Sequence, residues 1–101
     1  MKNITSSQRS YLKSKAHHLD PIIFIGKNGV VDGTIHSITL SLDARELIKV
    51  KFREFKEDKK KISEQIASQT DSIIIGIVGH TLILFKQNVD LEKRKYILPK
   101  T

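Results

Sequence analysis

The sequence predicts one α/β domain in the order α-β-α-β-α-β-β, a four-stranded mixed sheet with three helices. Three observations lead there. Three stretches carry apolar residues at helical spacing, and short apolar or alternating runs lie between them. Strands separated by helices call for parallel crossovers. The last two runs are separated only by Gly79-His80, a connection so short that it requires an antiparallel hairpin. A chain of 101 residues suits one domain.

Thr5-Ser6-Ser7-Gln8 has the form of a capping box, in which the Thr hydroxyl accepts from the amide three residues on and Gln8 reaches back. The helix it opens is expected to run to about residue 18, with Leu12, Ala16 and Leu19 as its buried stripe and Tyr11 at the edge. Asp20-Pro21 ends it, because a residue before proline is pushed out of the helical region. Ile22-Ile23-Phe24-Ile25 is wholly apolar and reads as a short central strand. Gly26-Lys27-Asn28-Gly29 breaks it sharply. The second helix is expected from Val31 or Asp32 to Arg45, with Val31, Ile35, Ile38 and Leu42 on one side.

Leu47 to Arg53 alternates, with Ile48, Val50 and Phe52 on one face and Lys49, Lys51 and Arg53 on the other. It reads as a half-buried strand with a basic outer face. Residues 54–61 form a charged connection into a third helix that buries Ile62, Ile66 and Ala67. The final strands are placed at 72–78 and 81–85. The remainder is polar and basic, although Tyr96-Ile97-Leu98-Pro99 is apolar enough to dock.

Net charge is +7, from 18 Lys+Arg against 11 Asp+Glu. The excess lies in residues 1–27, 46–61 and 86–101, three stretches that a fold could bring onto one face, whereas 62–85 hold two acids and no base. Such a surface either serves solubility or meets a polyanion. The absence of cysteine removes disulfide scaffolds, thiolate nucleophiles and Cys-ligated zinc. No apolar run approaches the roughly 18–20 residues of a membrane span, and the first residues lack the apolar core of a secretory signal. A cytoplasmic domain is therefore expected, with no membrane partner.

The sharpest local feature is Gly26-Lys27-Asn28-Gly29, placed between a strand and a helix. Glycines let a ligand approach the main chain, and the helix start beyond offers amides and the positive end of a dipole to a phosphate. An ordinary turn would also use Asn28-Gly29 for its positive φ. The loop is neither a Walker A motif nor a dinucleotide fingerprint. Lys49, Lys51 and Arg53 could lie along phosphate oxygens or merely face solvent, and the same two readings apply to Arg9, Lys13 and Lys15 on the first helix. His17 and His18 are neighbours whose side chains diverge by about 100° on a helix, so they do not form a metal pair. No paired-carboxylate, HExxH or nucleophile motif appears, so no catalytic residue, metal, cofactor or small-molecule substrate is expected. The aromatic residues are too few and scattered to suggest a base-stacking platform.

Taken together, the run from Thr5-x-x-Gln8-Arg9-x-x-Leu12-Lys13 through Ala16-His17-x-Leu19-x-Pro21-Ile22 to Ile25-Gly26-Lys27-Asn28-Gly29 resembles the CRM domain (chloroplast RNA splicing and ribosome maturation). Glu46-Leu47-Ile48-Lys49-Val50-Lys51 matches that family's second strand, and Gly79-His80-Thr81-Leu82-Ile83-Leu84-Phe85 its final hairpin. Residues 1–98 are accordingly expected to form one CRM-like domain of the stand-alone bacterial YhbY type, with 99–101 a short tail. The resemblance implies a fold similar to the C-terminal domain of translation initiation factor three. It also implies RNA binding and association with precursors of the large ribosomal subunit, through ribosomal RNA or its precursor. Gly26, Lys27, Asn28 and Gly29 match the family's GxxG loop, and Arg9 and Lys13 its basic helix positions. His80 stands where the family often has Arg, which leaves it outside the expected set. With Lys49 and Lys51, these residues make the expected RNA-binding site of a non-enzymatic protein. A domain docking on a ribosomal protein or assembly GTPase, or a binder of double-stranded DNA, are the alternatives.

Overall fold

The computed structural model describes residues 3–101. Among them run α1 (Ser6–Ala16), β1 (Ile23–Ile25), α2 (Asp32–Arg45), β2 (Leu47–Phe52), α3 (Lys59–Thr70), β3 (Ile73–Val78) and β4 (Thr81–Phe85). Single 3₁₀ turns lie at Lys56–Asp58 and Leu91–Lys93. The capping box forms as its residues dictate: the Gln8 amide donates to Thr5 Oγ1 at 3.1 Å and the Thr5 amide to Gln8 Oε1 at 3.0 Å. The third helix begins at Lys59, earlier than the charge run suggested. Lysines are good helix formers, and the 3₁₀ turn before them leads straight into the α-helix.

The sheet order is β1-β2-β4-β3, with β1 parallel to β2 and β4 antiparallel to both β2 and β3. The expectation of a central first strand is corrected here, since β1 is an edge strand. The hairpin inserts β4 beside β2, so β2 and β4 take the centre and β1 pairs on one side only. Its apolar run misleads because Ile25 is buried while Phe24 and Ile22 are 44% and 37% exposed.

Each face of the sheet carries its own core. On one face Ile25, Ile48, Val50, Phe52, Leu82 and Leu84 pack with Ile38 and Leu42 of α2 and Ile66 of α3. On the other, Leu47, Ile75, Ile83 and Phe85 pack with Leu12 and Ala16 of α1. The returning chain completes this second layer. Tyr96 and Leu98 join it, the Tyr96 ring meets Phe85 edge-on at 6.4 Å, and Gln8 Nε2 donates to the Pro99 carbonyl at 2.7 Å. Ile97 between them stays exposed.

Glu46 fastens that return. It ends α2 in the left-handed region at φ 64° and is 1% exposed. Its carboxylate accepts from the amides of Asn88 and Lys95, each at 2.6 Å, and of Tyr96 at 3.3 Å. One buried charge thereby satisfies three main-chain donors. Burial also pushes the Tyr96 phenol above its ordinary pKa, with the Glu46 charge and Tyr11 adding to the effect.

Candidate nucleic-acid interface

β1, β2 and β3 run parallel to one another, so their C-terminal ends share one edge of the sheet with the N-termini of α2 and α3. Three connections meet there: residues 26–31, residues 53–58 and the Gly79-His80 turn. The Phe52 amide donates to the His80 carbonyl at 2.8 Å, and the Arg53 and Glu54 amides both donate to the Ile25 carbonyl, at 2.9 and 3.1 Å. These bonds hold the three loops in register.

In the GxxG loop the Gly29 amide donates to the Gly26 carbonyl at 3.0 Å, and Lys27 and Asn28 stand exposed at the tip. Gly29 sits at φ 65°, where an L side chain is strained. A Cβ there would also lie 3.4 Å from the Phe55 ring, which supports the loop from the neighbouring connection. Gly26 has open space around it. No side-chain acceptor caps α2. The Thr34 amide donates to the Val31 carbonyl at 2.9 Å and the Val31 amide to Thr34 Oγ1 at 3.3 Å. This leaves the Asp32 and Gly33 amides to an anion, although the Asp32 carboxylate lies in that same turn.

The remaining expected residues fall in two settings. Lys51 is exposed on β2 beside Phe24 in the register. Lys13 and Lys49 border, with His17, Val78, Thr81 and Ile83, a hollow of about 260 Å³ between α1 and the sheet. Lys49 is half-buried and its Nζ donates to the Leu19 carbonyl at 2.9 Å, because α1 covers the Leu47 end of that face and leaves only the Lys51 end open. Arg9 points elsewhere. Its Nη1 donates to the Ile74 and Ile75 carbonyls at 2.5 and 3.0 Å, next to the β3 register shift at Ile74/Gly76. A guanidinium suits carbonyls that a bulge has taken out of the ladder.

Two lysines of this edge carry no distinguishing mark in the sequence. Lys56 and Lys59 lay in the basic run 46–61 without a position to distinguish them. Lys59 Nζ donates to the Gly79 carbonyl at 2.5 Å and lies 3.3 Å from His80 Nδ1. Loss of hydration in the turn, followed by the charges of Lys59, Lys56 and Lys51, holds the His80 imidazole below its ordinary pKa of 6.5. The ring is exposed, so the surrounding ammonium groups are the more durable cause. Arg53 lies with its guanidinium carbon 4.2 Å from the centre of the Phe24 ring.

The third basic stretch does not join them. Lys93, Arg94 and Lys95 gather near Asp43, Ala44 and Asn88, at the end of the sheet where β2 begins. Glu46 binds the returning chain there, so two of the three basic stretches contribute to the loop edge and the tail does not.

A mixed sheet between helical layers, with a strand-GxxG-helix loop on an edge where Lys27, Lys51, Arg53, Lys56 and Lys59 stand among Asp32, Glu54, Glu57 and Asp58, defines a small α/β domain with a charged loop edge. The family model for the CRS1/YhbY (CRM) domain matches residues 4–86. The chain belongs to the CRM domain family. It is 41% identical over 86 residues to the Bacillus subtilis protein named Probable RNA-binding protein YqeI, covering 84% of this chain and 90% of that one. It is 34% identical to a Haemophilus influenzae protein named RNA-binding protein, over 99% of both chains. The solution structure of a hypothetical Staphylococcus aureus protein superposes with a TM-score of 0.78 at 33% identity, covering 96% of this chain and all of that one.

Proposed function

We propose that the protein is a non-enzymatic, cytoplasmic RNA-binding protein that assists assembly of the large ribosomal subunit by holding its precursor RNA at the loop edge. The observation that supports the reading is that the connections bearing Lys27, Arg53 and Lys56 are hydrogen-bonded together at one end of the sheet, beside Lys51 and the uncapped start of α2, with Glu54, Glu57 and Asp58 among them. The names of the relatives support the class of partner. A phosphate seated at Gly26–Gly29 would accept main-chain amides, with Lys27 and Asn28 closing over it. Lys51, Arg53 and Lys56 would continue the track across the sheet end, and Lys13 and Lys49 would border it beside α1. Arg9 would contribute mainly by keeping the β3 bulge and α1 together.

The test is the double variant Lys27→Asp with Asn28→Asp, which reverses charge at an exposed tip and leaves both cores intact. It is expected to abolish binding to structured ribosomal RNA while thermal unfolding stays unchanged, and to remove the protein from large-subunit precursors in a density gradient. Retained RNA affinity would exclude the loop. Association that survives nuclease treatment would instead identify a protein partner.

A further inference from the structure

The edge position of β1 leaves a planar surface beside the loop that a phosphate track alone does not require. Phe24 is 44% exposed, on the sheet face that α1 leaves open at this end. A single exposed phenylalanine needs no explanation. This one carries a guanidinium over its ring, that of Arg53 at 4.2 Å. The pair is fixed from below, since the Arg53 amide donates to the Ile25 carbonyl at 2.9 Å and β1 pairs with β2 through Phe24 and Lys51. Two residues after Phe24 the GxxG loop begins. A positively charged, flat, partly apolar surface therefore stands next to a phosphate cradle on the same strand.

That combination suits one ligand feature. Unpaired bases stack on aromatic rings and on Arg planes, and their sugar-phosphate continues into whatever holds the backbone. A fully paired helix keeps its bases stacked inside and offers the platform nothing but phosphate. Resting on the RNA reading above, we infer that Phe24 and Arg53 form a stacking platform for one unpaired nucleobase, so that the protein selects RNA with a single-stranded nucleotide adjoining the backbone held at Gly26–Gly29. The base lies against the guanidinium plane, the phenyl ring backs it, and Lys51 faces the adjoining phosphate.

The experiment compares two synthetic RNAs, a hairpin with an unpaired loop and a blunt duplex with the same stem, against the wild type, Phe24→Leu and Arg53→Lys. Leucine keeps apolar bulk at an exposed edge position, and lysine keeps the charge, so both variants remain folded and near the original electrostatics. Each is expected to bind the hairpin about 5- to 150-fold more weakly, the worth of one stacked base. Phe24→Leu leaves duplex affinity unchanged, and Arg53→Lys, which also lies on the phosphate track, loses less on the duplex than on the hairpin. Phe24→Trp is expected to retain hairpin affinity and to show fluorescence quenching on binding, in a chain that has no other Trp. Equal losses on hairpin and duplex, or no loss in either variant, would overturn the platform while leaving RNA binding in place. A wild type that binds neither RNA would overturn the broader reading instead.

Discussion

His80 is a residue whose titration would report an RNA phosphate seated at the loop edge. Its pKa lies below 6.5 through a loss of hydration that is slight for so exposed a ring and, more durably, through the positive charges of Lys59, Lys56 and Lys51. In the unfolded chain it takes a proton near the ordinary value. The stability linked to its neutral form is therefore present above about pH 6.5 and lost as pH falls through the lower folded value. A bound phosphate would cancel the neighbouring charge and raise the pKa, so RNA binding is expected to take up a proton and to strengthen as pH falls below 6.5. Imidazole shifts followed by NMR would show the His80 midpoint rising when RNA is added, and His80→Arg would flatten the pH dependence. An unmoved midpoint would place the RNA elsewhere. Glu46 acts at the same scale but on the fold. Glu46→Ala leaves three main-chain amides without their acceptor and is expected to cost about 3 kcal/mol. In calorimetry that is a midpoint lower by roughly 10–25 °C. RNA affinity measured well below that midpoint should not change, because the residue sits at the other end of the sheet.

At the scale of elements, the proposed RNA contact would set two demands on the first turn of α2 against each other. That turn leaves the Asp32 and Gly33 amides without a capping side chain, and Asp32 places its carboxylate there as well. An acid there stabilises the helix dipole by about 0.3–1 kcal/mol and repels an incoming phosphate. Asp32→Asn is expected to lower stability by roughly that amount and to raise RNA affinity about 2- to 5-fold. Opposite signs in denaturant titration and in binding are the signature, and a fall in both would mean that Asp32 orders the loop rather than opposing the ligand. The first strand teaches a related lesson. Four consecutive apolar residues look like a strand buried on both faces, yet here Ile23 and Ile25 serve the core while Phe24 faces out. The alternation is hidden because the outward residue is aromatic rather than polar. The same disguise concealed the platform.

Across the molecule, charge placement matters more than charge total. Among the described residues, cations stand at the loop edge, at the hollow beside α1 with Lys13 and Lys49, and at the far end with Lys93, Arg94 and Lys95. If about five phosphates are neutralised at the loop edge, log K should fall against log[salt] with a slope of roughly −3.5 to −4.5. Neutralising Lys93 and Lys95 together should leave that slope alone, whereas neutralising Lys51 and Lys56 together should reduce it. A slope near zero would remove the electrostatic grip altogether.

The sequence alone determined the element order, the capping box, the GxxG position and the alternation of β2, because each rests on interactions between residues close along the chain. Its spaced motifs also carried the family resemblance that the domain match bears out. Only the tertiary structure decided that β1 lies at an edge, that Arg9 and Lys49 reach main-chain carbonyls, that Phe24 meets Arg53 and that the basic tail turns away. Those outcomes depend on which strand pairs with which and on where one buried carboxylate fastens the returning chain. Partners distant in sequence are chosen by packing, and no local pattern records the choice.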